Sequence, residues 1–306
     1  MTAPRWRAAA LVAWLAVWPA LAAAGATRYC DEPGALSAVQ YDRLLRFAGV
    51  IRSALEGSGE RVALVSRSGL ALGRFGQRYS HAGISLQASA QTPWAVRQLY
   101  FACDERRPRL FDQGLAAFVQ GMDQPSRGFV SVVLMPRDQA AALEALALDK
   151  HAALSLLAAD YSANAYAFSL RYQNCNQWVA ELLARAWSGT DWAATAPTAW
   201  RAGAQDWLRA SGYTPAVFDL RSRLLMWLSS FSPWLHHDDH PRQDTDQHLY
   251  RVSMPSSLEA FVQAQAPGAQ RLEFCHTQTH IVVRRGWQPL DDACQAGPQD
   301  TLIALD

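Results

Sequence analysis

The sequence predicts an α+β fold in which an antiparallel sheet packs against helices. Apolar residues recur at helical spacing over residues 35–55, and Gly57 ends that pattern. Strand-like runs follow, and the polar segment 88–93 between two of them is typical of a hairpin. Helices before and after such strands indicate the α+β class. The predicted strands cover residues 61–66, 79–87, 94–102, 129–134, 249–254, 271–275 and 281–284, and the later helices cover residues 110–119, 137–157, 174–187, 197–211 and 257–263.

The N-terminus predicts export. Arg5 and Arg7 precede an uncharged apolar run over residues 8–24, and the small residues that close the run offer A-x-A cleavage patterns. We expect residues 1–26 to be a signal peptide and the mature protein to be periplasmic or secreted. The alternative is a retained membrane anchor, although a run of about 17 residues is at the short limit for a span.

The charge balance argues against a nucleic-acid partner. The chain has 28 basic and 27 acidic residues, and no basic stripe is visible. We therefore expect a small-molecule, peptide or lipid substrate, and we predict no cofactor.

The cysteine count leaves one thiol over. There are five cysteines, and an odd number cannot pair completely in an oxidising compartment. The sequence does not determine the connectivity. We predict a Cys275–Cys294 bridge within the C-terminal strand region, a Cys30–Cys103 bridge, and a free Cys175.

His81 lies in a predicted strand and points away from its apolar face. Alternation places Ala82 on one face, and His81 and Gly83 on the other. Because Gly83 has no side chain, another group has room to approach His81. A lone strand histidine is otherwise most often a satisfied structural residue.

Cys175 begins a predicted helix. Asn174 is a good N-cap, and Gln177 stands three residues later, as in a capping box. The unpaired N–H groups and the helix dipole at this end should lower the pKa of the thiol and could stabilise an oxyanion. A neighbouring His would accept the thiol proton. The alternative is a small buried apolar residue without chemistry.

The two segments together resemble a known group of enzymes. Ser80-His81-Ala-Gly-Ile on a strand, followed by Asn174-Cys175 opening a helix, is similar to the circularly permuted papain-like hydrolases, which include NlpC-type and lecithin:retinol acyltransferase-like proteins. In that branch the His precedes the Cys, as here. The resemblance implies a permuted papain-like core over residues 27–190 and a C-terminal α/β extension, residues 191–306, packed on it. The chain also resembles an uncharacterised family of exported bacterial proteins, through Tyr-Gln-Asn-Cys-Asn-Gln-Trp and residues 233–241.

The resemblance implies thiol-based acyl chemistry. Cys175 would attack an amide, ester or thioester carbonyl, and His81 would be the general base and then the acid. A hairpin turn centred on residues 90–91 sets His81 opposite Tyr100 with Gln98 diagonal to it, so Gln98 is the candidate to orient the His. The neighbouring candidate binding residues are Tyr172, Asn174, Asn176, Trp178 and Ser80.

Two other segments give alternatives. The loop His236-His-Asp-Asp-His240 carries metal-ligand types, but adjacent residues rarely converge on one ion, so we favour a role in lining the site or ordering the loop. Residues 216–235 are apolar and aromatic, and they favour either a core helix or an interfacial helix that contacts lipid. A non-catalytic binding protein with a papain-like shell is the remaining alternative.

Overall fold

A computed structural model describes residues 36–222, 224, 226–227 and 232–305. The predicted signal peptide and Cys30 lie outside these described residues. Across the described part of the chain, no helix is both long and apolar enough to cross a membrane.

The fold is built on one eight-stranded sheet whose strand pairs are all antiparallel. Two small two-stranded sheets flank it, β6 with β7 in parallel and β8 with β9 antiparallel. The strand order of the large sheet is β12-β11-β10-β5-β1-β2-β3-β4. The strands are β1 Val62–Arg67, β2 His81–Leu86, β3 Ala95–Ala102, β4 Arg107–Gln113, β5 Gly128–Leu134, β6 Asp160–Tyr161, β7 Tyr172–Gln173, β8 Ala216–Asp219, β9 Leu249–Val252, β10 Gln270–His276, β11 His280–Arg285 and β12 Thr301–Ala304.

Helices cover both faces of this sheet. Phe47 and Phe118, from the first two helices, pack on one face against alternate residues of β1 and β3. Trp178 and Leu182 belong to the core on the opposite face, together with Ile84 of β2. The mixed α/β class with an antiparallel sheet packed against helices is therefore confirmed. The helices are α1 Ala38–Glu56, α2 Leu115–Gln120, α3 Arg137–Leu148, α4 Lys150–Ser155, α5 Cys175–Trp187, α6 Trp200–Ala210, α7 Arg242–Asp246 and α8 Pro255–Gln265.

Two sequence predictions of local structure were wrong. The predicted helix over residues 110–119 begins instead as β4, because Leu110 pairs with Leu99 of β3, and helix α2 starts only at Leu115. The helix predicted over 137–157 breaks at Asp149, whose extended backbone and side chain cap α4.

The apolar segment 216–235 opens as strand β8, which pairs with β9, and its described residues 224, 226 and 227 are helical.

The C-terminal third of the chain completes the main sheet. Strand β10 lies between β5 and β11, so residues beyond 190 contribute to the same sheet as β1 and β2.

The structure confirms the predicted Cys275–Cys294 disulfide and the free Cys175. Cys103 is also disulfide-bonded, while its predicted partner Cys30 lies outside the described residues. Disulfides fit an oxidising compartment.

Candidate functional site

Helix α5 begins where the sequence predicts, because Asn174 caps it. Asn174 is extended, and its side-chain oxygen accepts the Gln177 backbone N–H at 2.7 Å. The Asn174 amide nitrogen donates to the carbonyls of Ala163 and Ser253, which ties the cap to neighbouring segments. The Gln177 side chain donates to the Ser169 carbonyl rather than returning to the cap, so the capping box is one-sided. Cys175 is thereby fixed as the first helical residue.

The Cys175 thiol is buried among backbone N–H groups. The backbone N–H groups of Cys175, Asn176 and Ala82 all act to lower the pKa of this thiol. Burial nevertheless raises the pKa of the thiol to about 12, against the lowering effects of the Arg67 charge and these donors. The helix terminus lowers this pKa as expected, but the expected thiolate does not result, because desolvation raises the pKa by more. At neutral pH the site holds a neutral thiol.

His81 is the first residue of β2 and lies in an aromatic pocket. Its ring stacks on Tyr100 at a centroid distance of 4.7 Å, and the Phe118 ring follows at 6.1 Å. Its Nε2 lies 2.7 Å from Gln98 Oε1. Burial, and then the Arg67 charge, lower the pKa of His81 to about 3, although the Gln98 hydrogen bond raises it. The imidazole is therefore neutral at physiological pH.

Gln98 determines which ring nitrogen of His81 carries the proton. The Gln98 amide nitrogen donates to Gln113 Oε1 at 2.7 Å, so its oxygen faces His81 and accepts from Nε2–H. The other nitrogen, Nδ1, then carries a lone pair and can accept a proton. The room left by Gly83 is occupied by strand β3, since a Cβ there would lie 2.5 Å from the Val96 Cγ1 and 3.1 Å from the Gln98 Cβ.

The N-terminus of α5 docks on the backbone beside His81. Asn176 donates to the Ser80 carbonyl at 3.2 Å, and the N–H of Ala82 acts on the Cys175 thiol. These two residues precede and follow His81 in the chain. The fold thus brings together the backbone of two motifs that are more than ninety residues apart.

The histidine loop borders this region and is ordered by hydrogen bonds. His236 stacks on Tyr172 at 4.4 Å with nearly parallel rings. His240 donates to the Asn164 carbonyl at 2.7 Å, and Asp239 accepts the Tyr166 N–H. Among the residues that the structure describes, no three His, Cys, Asp or Glu side chains are grouped to hold a metal ion.

The candidate binding residues occupy different environments. Trp178 is fully buried, and its indole N–H donates to the Ala153 carbonyl, which makes it a core residue. Asn174 serves the helix cap, Asn176 binds the Ser80 carbonyl at the helix end, and the Tyr172 ring stacks on His236. The Ser80 hydroxyl accepts the N–H of Leu70.

The segment 216–235 is described only in part. Beyond strand β8, Leu224 and Trp227 are exposed, which is the surface character that a lipid contact requires. Its predicted helix falls partly on residues outside the described set.

The sequence reasoning missed two buried charges near the site. Arg67 ends β1 and stands opposite His81 in the strand register. Glu181, one and a half turns beyond Cys175, pairs with Arg201 at 2.8 Å in the interior. Neither burial could be predicted from neighbouring residues in the sequence, because most of the groups that contact Arg67 and Glu181 come from other elements of the fold.

Neither a curated protein nor a solved structure matches the chain. One protein family does match, over residues 54–262, which include both motifs and the histidine loop. Because this match covers more than half of the sequence, the chain belongs to the family described as uncharacterized protein conserved in bacteria (DUF2145).

Proposed function

We propose that the protein is an exported thiol-dependent hydrolase or acyltransferase that acts on an amide, ester or thioester carbonyl. Cys175 is the nucleophile, His81 the general base and Gln98 the residue that orients the base. The observation that carries the proposal is that the N-terminus of helix α5 lies on the backbone around His81: Asn176 donates to the carbonyl of the residue before His81, and the N–H of the residue after it acts on the Cys175 thiol.

The chemistry follows from these protonation states. As the sulfur attacks the carbonyl carbon, the thiol proton passes to Nδ1 of His81, and the carbonyl π electrons move to oxygen. The backbone N–H groups of Cys175 and Asn176 are the donors available to this oxyanion. When the tetrahedral adduct collapses, the leaving group takes the proton from His81, and the acyl group remains on sulfur. Water or another acceptor then removes the acyl group.

The resemblance to permuted papain-like hydrolases supports the same reading. The His strand precedes the Cys helix, and a polar amide contacts the His, as such sites require. The order of the motifs and the Gln98 contact therefore agree with one another.

The test is acyl capture from an activated ester or thioester by the mature protein, followed by peptide mass spectrometry. We expect the adduct on Cys175, none on Cys175→Ala, and a loss of roughly 100-fold in rate for His81→Ala. His151→Ala, which alters an exposed histidine, is the matched control and should leave the rate unchanged. A wild-type protein that forms no adduct on Cys175 would refute the proposal.

A second candidate function is that of a non-catalytic binding protein, which has the same fold but does not convert the molecule that it binds. Cys175 is only 7% exposed, and the His81 ring packs near Phe118, which belongs to the core on the α1–α2 side. The bifunctional reagent dibromoacetone separates the candidates, because it bridges a thiol and an imidazole only when they are neighbours. A Cys175–His81 crosslink supports catalysis, whereas alkylation of Cys175 without a crosslink supports the binding shell.

A further inference from the structure

Arg67 is a buried cation on the same sheet face as His81. It ends strand β1, is 4% exposed, and is the antiparallel partner of His81. Directly paired residues of antiparallel strands project to the same face. The two side chains therefore share one environment.

The Arg67 guanidinium holds the walls of the His81 pocket. One terminal nitrogen, Nη2, donates to the Tyr100 hydroxyl at 2.9 Å, and the guanidinium lies 5.6 Å from the Phe118 ring centroid. Tyr100 and Phe118 are the two rings beside the His81 imidazole. We therefore expect a substitution of Arg67 to shift both rings and, through them, the position of the His81 imidazole.

Gly121 makes the space that Arg67 occupies. Nη1 of Arg67 donates to the Gly121 carbonyl, and a Cβ at residue 121 would overlap the guanidinium. The backbone of Gly121 has φ of −72°, which any residue adopts, so space rather than conformation calls for the glycine. The turn after α2 is shaped around this one side chain.

We propose, on the basis of the function proposed above, that Arg67 is a positioning residue of the site. It fixes the aromatic pocket of His81. Its buried positive charge also stabilises an anionic sulfur or oxygen at the site and destabilises a protonated His81 ring.

The electrostatics agree with this geometry. The Arg67 charge lowers the pKa of both Cys175 and His81, so it stabilises the thiolate and disfavours the protonated ring. The charged or titratable groups about His81 in the described elements are Arg67 from β1 and Tyr100 from β3, while α2 contributes the Phe118 ring, and Cys175 from α5 adjoins the backbone of the next residue, Ala82. Among these groups Arg67 carries the positive charge, and this charge attracts a negative charge on the sulfur.

The first test compares two alkylating agents on Cys175. Iodoacetate and iodoacetamide need the same thiolate and the same opening of the site, so the ratio of their rates reports only the local charge. We expect Arg67→Met to lower the iodoacetate-to-iodoacetamide ratio by roughly 3- to 10-fold and Arg67→Lys to keep most of it. Arg97→Met removes another buried arginine, one that pairs with Asp112 rather than facing His81, and should leave the ratio unchanged. An unchanged ratio in Arg67→Met overturns the proposal.

The second test does not depend on thiol reactivity. Nitrogen NMR of labelled histidine follows the His81 ring between pH 3 and pH 7 in the wild type and in Arg67→Met. We expect the titration of His81 to move up by about one pH unit in Arg67→Met and to stay in place in Arg97→Met. If Cys175 proves inert but His81 moves, the proposed function fails while the role of Arg67 stands. If His81 does not move, the role of Arg67 is refuted whatever Cys175 does.

Discussion

Two turns of helix α5 bury polar groups in opposite ways. Glu181 is saturated: its carboxylate accepts side-chain N–H groups from Gln173, Gln177, Arg201 and Gln205. Cys175, on the first turn, meets backbone N–H groups, and its thiol is neutral. A saturated ion is fixed in place, whereas a neutral thiol can change its protonation when a substrate arrives. Under the proposed function, stability and reactivity therefore depend on different turns of this helix.

The largest expected loss of stability is at Glu181, whose carboxylate is fully hydrogen-bonded. Glu181→Ala should lower the free energy of unfolding by about 3–5 kcal/mol, because it leaves Arg201 charged and without its carboxylate in the interior. Urea unfolding measures this. The control is Glu56→Ala, whose pair with Arg52 is about half exposed and should contribute no more than about 0.5 kcal/mol. Equal losses in the two variants would break the comparison.

The next effect is a pH dependence that belongs to His81. Its folded pKa of about 3 lies below its usual 6.5, so the unfolded chain takes up a proton first as the pH falls. The stability is therefore complete above pH 6.5 and is lost between pH 6.5 and pH 3. Between pH 8 and pH 5 the wild type should lose about 2 kcal/mol more than His81→Asn does, as measured by urea unfolding. Parallel pH curves for the two proteins would show that His81 is not buried in its neutral form.

A smaller effect is expected at the N-cap, Asn174, which precedes both turns. Asn174→Ala removes the acceptor of the Gln177 N–H and should cost about 1 kcal/mol in urea unfolding. Asn174→Asp keeps a capping oxygen and serves as the matched control. If both variants lose the same free energy, the amide contacts of Asn174 to Ala163 and Ser253, rather than the cap, stabilise this end.

The smallest expected effect on stability is at Cys175 itself. Cys175→Ala should change the free energy of unfolding by less than about 1 kcal/mol, because it exchanges one small buried side chain for another. It should nevertheless abolish acyl capture completely. A large loss of stability here would make Cys175 a structural residue like Glu181 and would remove the contrast.

Local signals predicted the site only in part. The cap at Asn174 and the strand position of His81 follow from periodicity and turn chemistry, and the hairpin register leads to Gln98 and Tyr100. The role of Arg67 could not be predicted in this way, because a charged residue after an apolar strand is normally interpreted as its exposed end. It is buried by contacts with residues distant in sequence, Tyr100, Phe118 and Gly121.

The protonation state of the Cys175 thiol also could not be predicted from the sequence. The helix dipole is visible in the chain, but the degree of burial is not, and burial decides the pKa of Cys175. The fold shows the same limit. The run that includes Leu110 and Phe111 could form a helix by composition, yet pairing with β3 draws it into the sheet.

The central position of β10 has a consequence for folding kinetics. Its partner strand β5 lies far earlier in the sequence: the hydrogen bond between Arg271 and Ser131 joins residues that are 140 positions apart. Such non-local pairing closes slowly, so we expect the edge of β5 to remain unpaired until the last part of the chain is available. An open edge of β-branched residues is prone to intermolecular association. A chain shortened before residue 270 should therefore aggregate, even though it contains both His81 and Cys175.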